Sequence, residues 1–470
     1  MTDRRESQFL VLAGLFLLLF AAALMLSPAA RERTWDVGLR TNQFLGLGVW
    51  AVSFLLGHKL VSRWLPERDP YLLPTAGLLS GWGVLTLFRL DPSMGARQAV
   101  WLVIGLVGLL LILRRGDSLT LLRRYKYVLL AAGLLLTALT LFLGSNPTGA
   151  GPRLWLGCCG VYLQPSEPLK LLLVAYLAAY LADRTNIRPE IFPLVLPALL
   201  VTGLALLLLL VQRDLGTGSI FILLPAIMLY LATAKRRVLL ATFVALSLAA
   251  MMGFFFTDVV HARLETWINP WTDPTGRSYQ IIQSLLAIAN GGLLGRGPGL
   301  GSPTLVPIAQ SDFIFAAIAE ETGLVGSLGL LAAYAIWLVR GVTIALRASD
   351  HYHRLLAAGL SSYVGIQAIL ILGGDLRMLP LTGLTLPFVA YGGSSLLTSF
   401  VATALLLKIS ADKDRRPAML STPRPYFVLA SLLSLGLIAA AVTQAWWAIV
   451  RSPDLLSAPI IHGALSQIAM

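Results

Sequence analysis

The sequence predicts an all-α protein with many membrane-spanning helices. Of its 470 residues, 57% are hydrophobic and only 13% are charged, whereas charged residues make up about 25% of a soluble domain. Long apolar runs also recur along the whole chain, and about 20 apolar residues are enough to cross the roughly 30 Å hydrocarbon core of a bilayer. We predict thirteen spans: Phe9–Leu26, Phe44–Leu56, Leu72–Phe88, Ala99–Leu113, Tyr127–Leu143, Pro168–Ala182, Ile191–Val211, Leu215–Ala234, Val238–Thr257, Phe313–Val339, Leu355–Gly373, Leu386–Leu407 and Phe427–Val450.

The placement of basic residues predicts the orientation of these spans. With Met1 in the cytoplasm, the inner loops hold 23 Lys and Arg residues and the outer segments hold 12. Membrane proteins keep their Lys and Arg on the cytoplasmic side. We therefore attribute the net charge of +13 to topology, expect no nucleic-acid partner, and place the long 258–312 loop outside the cytoplasm.

The polar stretches divide the chain into a core and additions. Residues 1–70 hold two additional helices, the first of which is an anchor that is kept rather than a cleaved signal peptide. Residues 71–410 form a ten-helix core, residues 411–425 a basic cytoplasmic linker, and residues 426–470 one further helix. We expect that last helix to pack on the outside of the core and to be dispensable for chemistry.

Ionisable residues inside spans are expensive in lipid and therefore mark candidate functional sites. Glu167 and Lys170 lie three residues apart on one helix face and can pair, in a helix that Pro168 begins and Ser166 caps. Two interpretations stay open: a structural ion pair, or a Lys170 that reaches an anionic headgroup in a central cavity.

A second acidic group opens the span at Phe313. Asp312 caps this helix or contributes to the site, and Glu320 and Glu321 follow about 12 Å further along it. Because adjacent helical residues point about 100° apart, at most one of the two glutamates faces a given cavity. The other contacts a neighbouring helix or a polar partner such as Lys170.

Prolines and glycines interrupt the chain between Leu379 and Ser395. At membrane depth such a break is tolerated only where the freed backbone lines a cavity or is buried in protein. Gly392 and Gly393 allow close approach of backbone amides, and Ser394 or Ser395 can cap the helix that follows, which makes a phosphate cradle. The alternative is a kink that serves packing.

The outer loop carries Asp273, within Asn269-Pro270-Trp271-Thr272-Asp273-Pro274. A carboxylate held above a lipid pocket can remove a proton from a sugar hydroxyl, or it can simply nucleate a turn with Pro274. The glycine-rich run at 291–301 follows no strand and predicts a re-entrant or surface-hugging turn rather than a dinucleotide site. The two cysteines, Cys158 and Cys159, are adjacent and favour packing over a strained disulfide, and no ligand spacing predicts a structural metal.

Several of these segments together resemble the SEDS family of polytopic membrane proteins, the FtsW/RodA group of peptidoglycan glycosyltransferases. The resemblance covers roughly the 340 residues of the core and rests on Gln164–Lys170, Gln212–Gly218, Asn269–Gln280, Asp312–Gly323 and Leu379–Ser395.

The resemblance implies polymerisation of lipid II at the outer face of the bacterial cytoplasmic membrane, in cell elongation or division. Asp273 falls on the family's proposed essential aspartate and would be the general base, and Lys170 would offset charge on the departing pyrophosphate. No organic cofactor is needed, although a divalent cation could bridge the pyrophosphate. A class B penicillin-binding transpeptidase is the expected partner, besides lipid II and the lipid-linked glycan. Substrate contacts are expected from Arg153, Glu167, Lys170, Asp214, Asp312, Glu320, Tyr391, Ser394 and Ser395.

One departure and two other functions stay open. Leu154 occupies the family's arginine position in Gly151-Pro152-Arg153-Leu154-Trp155, so whether Arg153 replaces that arginine is unresolved. A lipid II flippase would need polar groups along its whole path, whereas a polymerase needs them at the outer surface and in the upper bundle. A scaffold without activity is the third reading, which the retained Asp273 disfavours.

Overall fold

A computed structural model describes residues 2–146, 152–158, 161–184, 191–238, 240, 241, 244, 245, 251, 255 and 258–412. Within them the chain is mostly helical. The helices of the first half are α1 (Thr2–Glu32), α2 (Gln43–Trp64), α3 (Leu72–Leu90), α4 (Pro92–Arg114), α5 (Ser118–Arg124), α6 (Lys126–Leu143), α7 (Ser166–Arg184), α8 (Ile191–Val211) and α9 (Leu215–Thr233). Those of the second half are α10 (Asp258–Ile268), α11 (Tyr279–Gly291), α12 (Ile314–Arg347), α13 (His351–Asp375) and α14 (Gly393–Ser410). A hairpin of β1 (Leu156–Cys158) and β2 (Val161–Leu163) precedes α7.

The all-α polytopic membrane class is confirmed. In the described part, eight helices are long and apolar enough to cross a membrane: α1, α2, α4, α6, α9, α12, α13 and α14. Predicted spans also coincide with α3, α7 and α8. The predicted span Val238–Thr257 is described only in part, and the linker from residue 413 onward and the span Phe427–Val450 lie outside the described residues. The ten-helix core and the domain boundaries therefore stay predictions.

The centre of the bundle is formed by helices that bury residues on all sides. In α7 all residues from Leu173 to Ala182 are buried, as is all of α3 from Leu72 to Phe88 except Leu78. A helix that is apolar all round belongs in the core of a large bundle. The first two helices pack against this core through polar anchors, since Trp50 donates its indole hydrogen bond to the carbonyl of Gly77 at 2.8 Å.

The predicted span Leu386–Leu407 is wrong at its start, because residues 376–392 are not helical and α14 begins at Gly393. The helix break predicted between Leu379 and Ser395 is confirmed. Prolines at 380 and 387 cannot donate helical hydrogen bonds, and Phe388 takes a positive φ of 67°. The break leaves a non-helical segment, residues 376–392, which we call the broken segment. Its backbone groups are available to neighbours.

The 258–312 loop folds as a packed cap. It holds α10, α11 and two short 3₁₀ turns, at Pro270–Thr272 and Pro303–Leu305. The amphipathic helix α11 buries Ile281 and Leu285 in a small apolar cluster with Phe313 at the start of α12. The cap therefore holds a fixed position over the end of the bundle.

The glycine-rich run turns back against α12, as a surface-hugging turn would. Gly323 has φ 66° and ψ −163°, which interrupts α12. The backbone groups freed there pair with the run: Leu324 N donates to Gly292 O at 2.9 Å and Gly297 N donates to Glu321 O at 3.0 Å. Broken helices in membranes need such replacement partners.

Candidate active site

The candidate site lies at the end of the bundle that the cap covers, and the start of α7 forms one wall. Helix α7 begins at Ser166 rather than Pro168, and Ser166 caps nothing; its hydroxyl donates to Asp214 Oδ2 at 3.4 Å. Glu167 lies in the first turn, where the helix dipole favours a negative charge. The backbone N–H of Gln164 donates to Ser394 Oγ at 2.8 Å, which joins this wall to α14.

Lys170 is fully buried, and its ammonium group has three close partners. Its Nζ donates to Glu167 Oε1 at 2.7 Å and to Gln367 Oε1 at 2.9 Å, and it lies 5.5 Å from the centre of the Tyr363 ring. Gln367 in turn donates to the carbonyl of Thr385 at 2.8 Å. The predicted Glu167–Lys170 pair is confirmed, and it ties α7 to α13 and to the broken segment.

Asp214 is buried, and its side chain joins the start of α9 to the start of α7. Its Oδ1 accepts from Thr217 N at 3.1 Å and so caps α9, while its Oδ2 accepts from the side chains of Gln164 and Ser166, both at 3.4 Å. The preceding residue, Arg213, has a positive φ of 60°. Such strain in a residue other than glycine persists only where the surroundings hold it, and it concentrates at functional sites.

Arg263 comes down from the cap into the site. Its Nη1 donates to Thr382 O at 3.3 Å, and a Cβ built on Gly383 would lie 3.7 Å from both Arg263 Nη2 and Asp312 Oδ2. Burial lowers the pKa of Arg263, and the charges of Asp312 and Asp214 oppose that change. The Arg263 guanidinium therefore lies beside the broken segment, with Asp312 on the same side of Gly383.

Asp312 ends the cap without capping α12, contrary to one of the two expectations for it. Phe313 occupies the N-cap position, and in this part of the described chain no side chain caps the helix. Burial raises the pKa of Asp312 to about 6, against the opposing effects of Ser311 and Arg263. The carboxylate therefore changes charge close to neutral pH.

Asp375, Arg263 and Gln367 were missed by the sequence reasoning. Asp375 ends α13 completely buried, and among the described residues neither of its carboxylate oxygens has a hydrogen-bond partner. The rule that marks ionisable residues in spans did not select it, because the predicted span Leu355–Gly373 ends two residues before Asp375. Arg263 carries a weaker signal, being one of several loop arginines, and Gln367 carries none in the sequence.

Neither Ser394 nor Ser395 caps α14 in the described structure, so that part of the phosphate-cradle expectation is wrong. Ser394 instead accepts from Gln164, while Ser395 Oγ and Thr382 Oγ1 are buried without a partner among the described residues. Tyr391 is fixed through its backbone, whose N–H donates to Gln310 O at 2.8 Å. Thr382 of the broken segment thus has an unused hydroxyl and a carbonyl bonded to Arg263, whereas Ser395 belongs to α14.

Glu320 and Glu321 both serve the glycine-rich turn, and the suggested pairing with Lys170 is wrong. Glu321 accepts from Arg89 Nε at 3.1 Å and from Gly299 N at 2.9 Å. Glu320 accepts from Ser302 N at 3.1 Å. These contacts tie the cap to α3 and α12.

Asp273 lies on the exposed surface of the cap. Its Oδ2 accepts from Arg277 N at 3.0 Å, which is the turn geometry that the sequence left open. Within the described residues, the structure records no contact between Asp273 and the other predicted site residues. Arg153 is likewise exposed, just before β1, and Cys159 lies outside the described residues.

These features define a multi-pass membrane protein with a polar site under a folded cap at one end of its helix bundle. The family model for FtsW, RodA and SpoVE, which is described as cell cycle protein, matches residues 83–415. The chain belongs to this family, and it is accordingly a multi-pass protein of the cytoplasmic membrane.

Named relatives agree with this assignment. The peptidoglycan glycosyltransferase RodA of Mycobacterium tuberculosis is 33% identical over 438 residues, covering 88% of this chain and 92% of the relative. Stage V sporulation protein E of Bacillus subtilis is 35% identical over 351 residues, 72% of this chain and 94% of the relative. The probable peptidoglycan glycosyltransferase FtsW of Geobacter sulfurreducens is 35% identical over 370 residues, 75% of this chain and 98% of the relative.

Solved structures share the fold. One chain, from a study of the structural coordination of polymerization and crosslinking by a peptidoglycan synthase complex, has a TM-score of 0.64 at 30% identity and covers 73% of this chain and 97% of its own. The rod shape determining protein RodA of Thermus thermophilus has a TM-score of 0.56 at 28% identity, with the same coverages.

Proposed function

We propose that this chain, a peptidoglycan glycosyltransferase by family and relatives, polymerises lipid II at the outer face of the membrane with Asp273 as general base. One observation supports the proposal above the others. The polar groups under the cap, Asp214, Arg263, Asp312 and Asp375, gather at a single end of the bundle. A polymerase that works on membrane-anchored sugars needs its chemistry at that position.

In the proposed step the acceptor hydroxyl of lipid II gives its proton to the Asp273 carboxylate. The hydroxyl oxygen then bonds to the anomeric carbon of the growing glycan, and the bond between that carbon and the lipid pyrophosphate breaks. The electron pair leaves with the pyrophosphate. An exposed carboxylate suits the first part because it is open to an incoming substrate, and positioned bases of this kind contribute about 10²–10⁴-fold.

The departing pyrophosphate requires positive charge, and we assign that role to Arg263 rather than Lys170. Lys170 is buried and already bonded to Glu167 and Gln367, so we give it a supporting role. Arg263 is only partly buried and lies beside Thr382. Thr382 accepts from Arg263 through its carbonyl, and its hydroxyl has no partner among the described residues; this hydroxyl would donate to a phosphate oxygen, which preserves the predicted phosphate cradle in a changed form.

The remaining predicted residues hold the site in shape. Asp214 and Asp312 orient Arg263 electrostatically, Glu320 fixes the cap at Ser302, and Tyr391 anchors the broken segment. Arg153 contacts substrate from the hairpin side. The reaction needs no organic cofactor, because the donor already carries its leaving group, and a divalent cation would act on the pyrophosphate oxygens.

The flippase alternative fits the bundle less well. Beyond Lys170, the buried residues of α7 are leucine, valine and alanine except for two tyrosines, Tyr176 and Tyr180. A lipid-linked sugar crossing the bilayer would need polar contacts along this depth. Buried polar groups without partners under the cap, such as Asp375 and Thr382, favour transfer chemistry over transport, and also over a scaffold without activity.

The fold shared with a chain from a peptidoglycan synthase complex supports a proposed partner, a class B penicillin-binding transpeptidase. Such a partner would crosslink the glycan that this chain makes. We therefore expect polymer yield to rise when the purified chain is mixed with that transpeptidase.

A lipid II polymerisation assay tests the proposed function. The native chain, alone and with its transpeptidase, should make glycan polymer that disappears in Asp273→Ala. Glu265→Gln is the matched control, because Glu265 is another exposed carboxylate of the cap and should retain activity. If Asp273→Ala made polymer at the native rate, the base assignment would be wrong. If no polymer formed but labelled lipid II crossed vesicles independently of Asp273, transport would replace catalysis.

A further inference from the structure

The opposite end of the bundle holds a cavity that the polymerase site does not use. It has a volume of about 410 Å³ and is lined by Arg5 of α1, by Arg340 and Arg347 of α12, and by Ile409 and Ser410 at the end of α14. Helix α14 begins at the candidate site and ends here, so the length of the bundle separates the two places. By the positive-inside rule this is the cytoplasmic end.

The lining of this cavity carries four arginines, Arg5, Arg68, Arg340 and Arg347, and two carboxylates, Glu67 and Asp69. Arg340 is bonded to Asp69 through its Nε at 2.8 Å and stacks 4.7 Å from the centre of the Tyr71 ring. Arg68 is also satisfied, with Glu6 and Asp3 as partners. Arg5 and Arg347 are exposed, and neither has an ion pair among the described residues. Two guanidinium groups without an ion pair among the described residues therefore line a polar cavity in which arginines outnumber carboxylates.

An apolar groove adjoins the cavity. It has a volume of about 720 Å³, and Tyr71 and Arg340 line both spaces. Phe9 and Phe16 of α1, Trp82 of α3 and Val325 of α12 line the rest of its length with other apolar residues. Between Val325 and Arg340 the groove follows about 22 Å of helix, which exceeds the roughly 15 Å hydrocarbon depth of one leaflet.

A basic pocket joined to an apolar groove of leaflet length matches the two parts of one ligand. We propose that this composite site binds a phospholipid with an anionic headgroup from the cytoplasmic leaflet. The phosphate lies between Arg5 and Arg347, and an acyl chain fills the groove between α1, α3 and α12. Basic pockets between helices on the cytoplasmic side recognise anionic headgroups in this way.

The site depends on α1, which lies outside the 83–415 family match. Groove residues of α3 before position 83, among them Trp82, lie outside that match too. A lipid held between α1 and α12 would fasten the added helix to the helix that carries the cap at its other end. The proposal does not rest on the glycosyltransferase activity, and its test does not measure that activity.

Native mass spectrometry of the full-length protein in detergent tests the proposal, with dioleoyl phosphatidylglycerol and dioleoyl phosphatidylethanolamine as probes. We expect one phosphatidylglycerol molecule to be retained in preference to phosphatidylethanolamine. The double variant Arg5→Gln, Arg347→Gln should bind it about thirty-fold more weakly, as expected for the loss of two cationic contacts. Arg63→Gln, Arg114→Gln is the matched control: it removes the same charge from exposed positions that do not line the cavity, and it should bind as the native chain does.

A second variant tests the groove without changing charge. Gly329 lines the groove, and a Cβ built on it meets no atom within 4 Å, so Gly329→Phe should fill the groove and reduce retention of the lipid. Gly203→Phe on α8, where a Cβ also meets no atom within 4 Å, should not reduce retention.

Equal retention of the two lipids, or equal loss in the Arg63, Arg114 control, would overturn the proposal. So would competition by glycerol phosphate alone, which would indicate a phosphate site. A disulfide between Gly329→Cys and a cysteine placed in 427–450 would show that the chain's own last segment fills the groove.

Discussion

At the end of the bundle where α3 begins, the buried charges Glu6, Arg68 and Asp69 have charged partners, whereas under the cap some buried carboxylates do not. Arg68 is fully buried and donates to Glu6 Oε2 at 2.7 Å, and Asp69 accepts from Arg340. Under the cap, Asp214 and Asp312 share the single guanidinium of Arg263. Asp375 there has no hydrogen-bond partner among the described residues.

This difference distinguishes buried charges that fix the positions of helices from buried charges that serve the reaction. A buried pair with good geometry fixes the position of helices, because breaking it leaves an unpaired charge. Buried carboxylates that lack partners cost stability, and they persist where function requires them. Burial alone would not have distinguished Arg68 from Asp375.

The largest effect on stability is expected from Arg68→Met. The change leaves Asp3 without its cation and Glu6 with only the His58 ring as a close partner, and removing one member of a buried pair costs about 3–5 kcal/mol. Thermal unfolding in one detergent should show a large loss for Arg68→Met and little change for Arg115→Met, since the Arg115–Asp117 pair is exposed and surface pairs contribute little. Adding Glu6→Gln to Arg68→Met should recover part of the loss; if it does not, the pair is not the source of the stability.

The largest effect on activity after loss of Asp273 is expected from Arg263→Gln. Removing one preorganised charge that stabilises a developing anion typically costs about 10²–10³-fold in kcat. Polymerisation should fall by that factor while the melting temperature changes little. Arg277→Gln removes an exposed arginine of the same cap and should keep its rate. If Arg263→Gln and Arg277→Gln reduced the rate equally, Arg263 would have no special role.

The sequence predicts the class of this fold well and its internal breaks only in part. Hydropathy identifies α1, α4 and α13 because a membrane imposes their length and composition. It fails between Leu386 and Gly392, since an apolar segment buried in protein need not be helical. Hydropathy also did not predict the fold of the cap, because α10 and α11, with 11 and 13 residues, are too short for that signal.

In the candidate site, contacts between residues close in sequence could be predicted, and contacts between distant residues could not. Spacing was enough to predict the Glu167–Lys170 pair, because i,i+3 neighbours meet on any helix. The pairing of Glu321 with Arg89 could not be predicted, since 232 residues separate the partners and only the packing of α3 on α12 unites them. Arg263 was overlooked for the same reason.

A backbone substitution tests whether the glycine-rich turn holds the cap in place. Gly323 has φ 66°, and a Cβ there would lie 2.2 Å from Gly295 N, so Gly323→Ala must displace backbone. Strain of this kind costs about 1–3 kcal/mol, and we expect lower thermal stability with a smaller loss of activity. Gly329→Ala lies on the same helix in open space and should be neutral or slightly stabilising. Equal melting temperatures for the two variants would show that the turn adapts.

The smallest expected effect is a pH dependence set by Asp312. Its pKa is raised to about 6 by burial, so below pH 6 it becomes neutral and no longer holds Arg263. Polymerisation should decline several-fold between pH 7 and pH 5, and Asp312→Asn should have low activity with a flatter profile. Asp91→Asn should keep the native profile, because the pKa of Asp91 is lowered, chiefly by its hydrogen bond to Ser93.

The contribution of Asp312 to folding stability should increase as the pH falls, whereas the polymerisation rate decreases. This distinguishes the proposed mechanism from a loss of activity caused by acid unfolding. The folded chain takes up the Asp312 proton near pH 6 and the unfolded chain only near the ordinary Asp pKa of about 3.9. Since stability falls with pH wherever the folded state binds more protons, the contribution of Asp312 decreases from about pH 4 to pH 6 and is constant above. Subtracting the unfolding profile of Asp312→Asn from that of the native chain isolates this contribution. A difference that grew with pH in this window would mean that Asp312 is stabilised as a carboxylate by Arg263, and the activity would then persist at low pH.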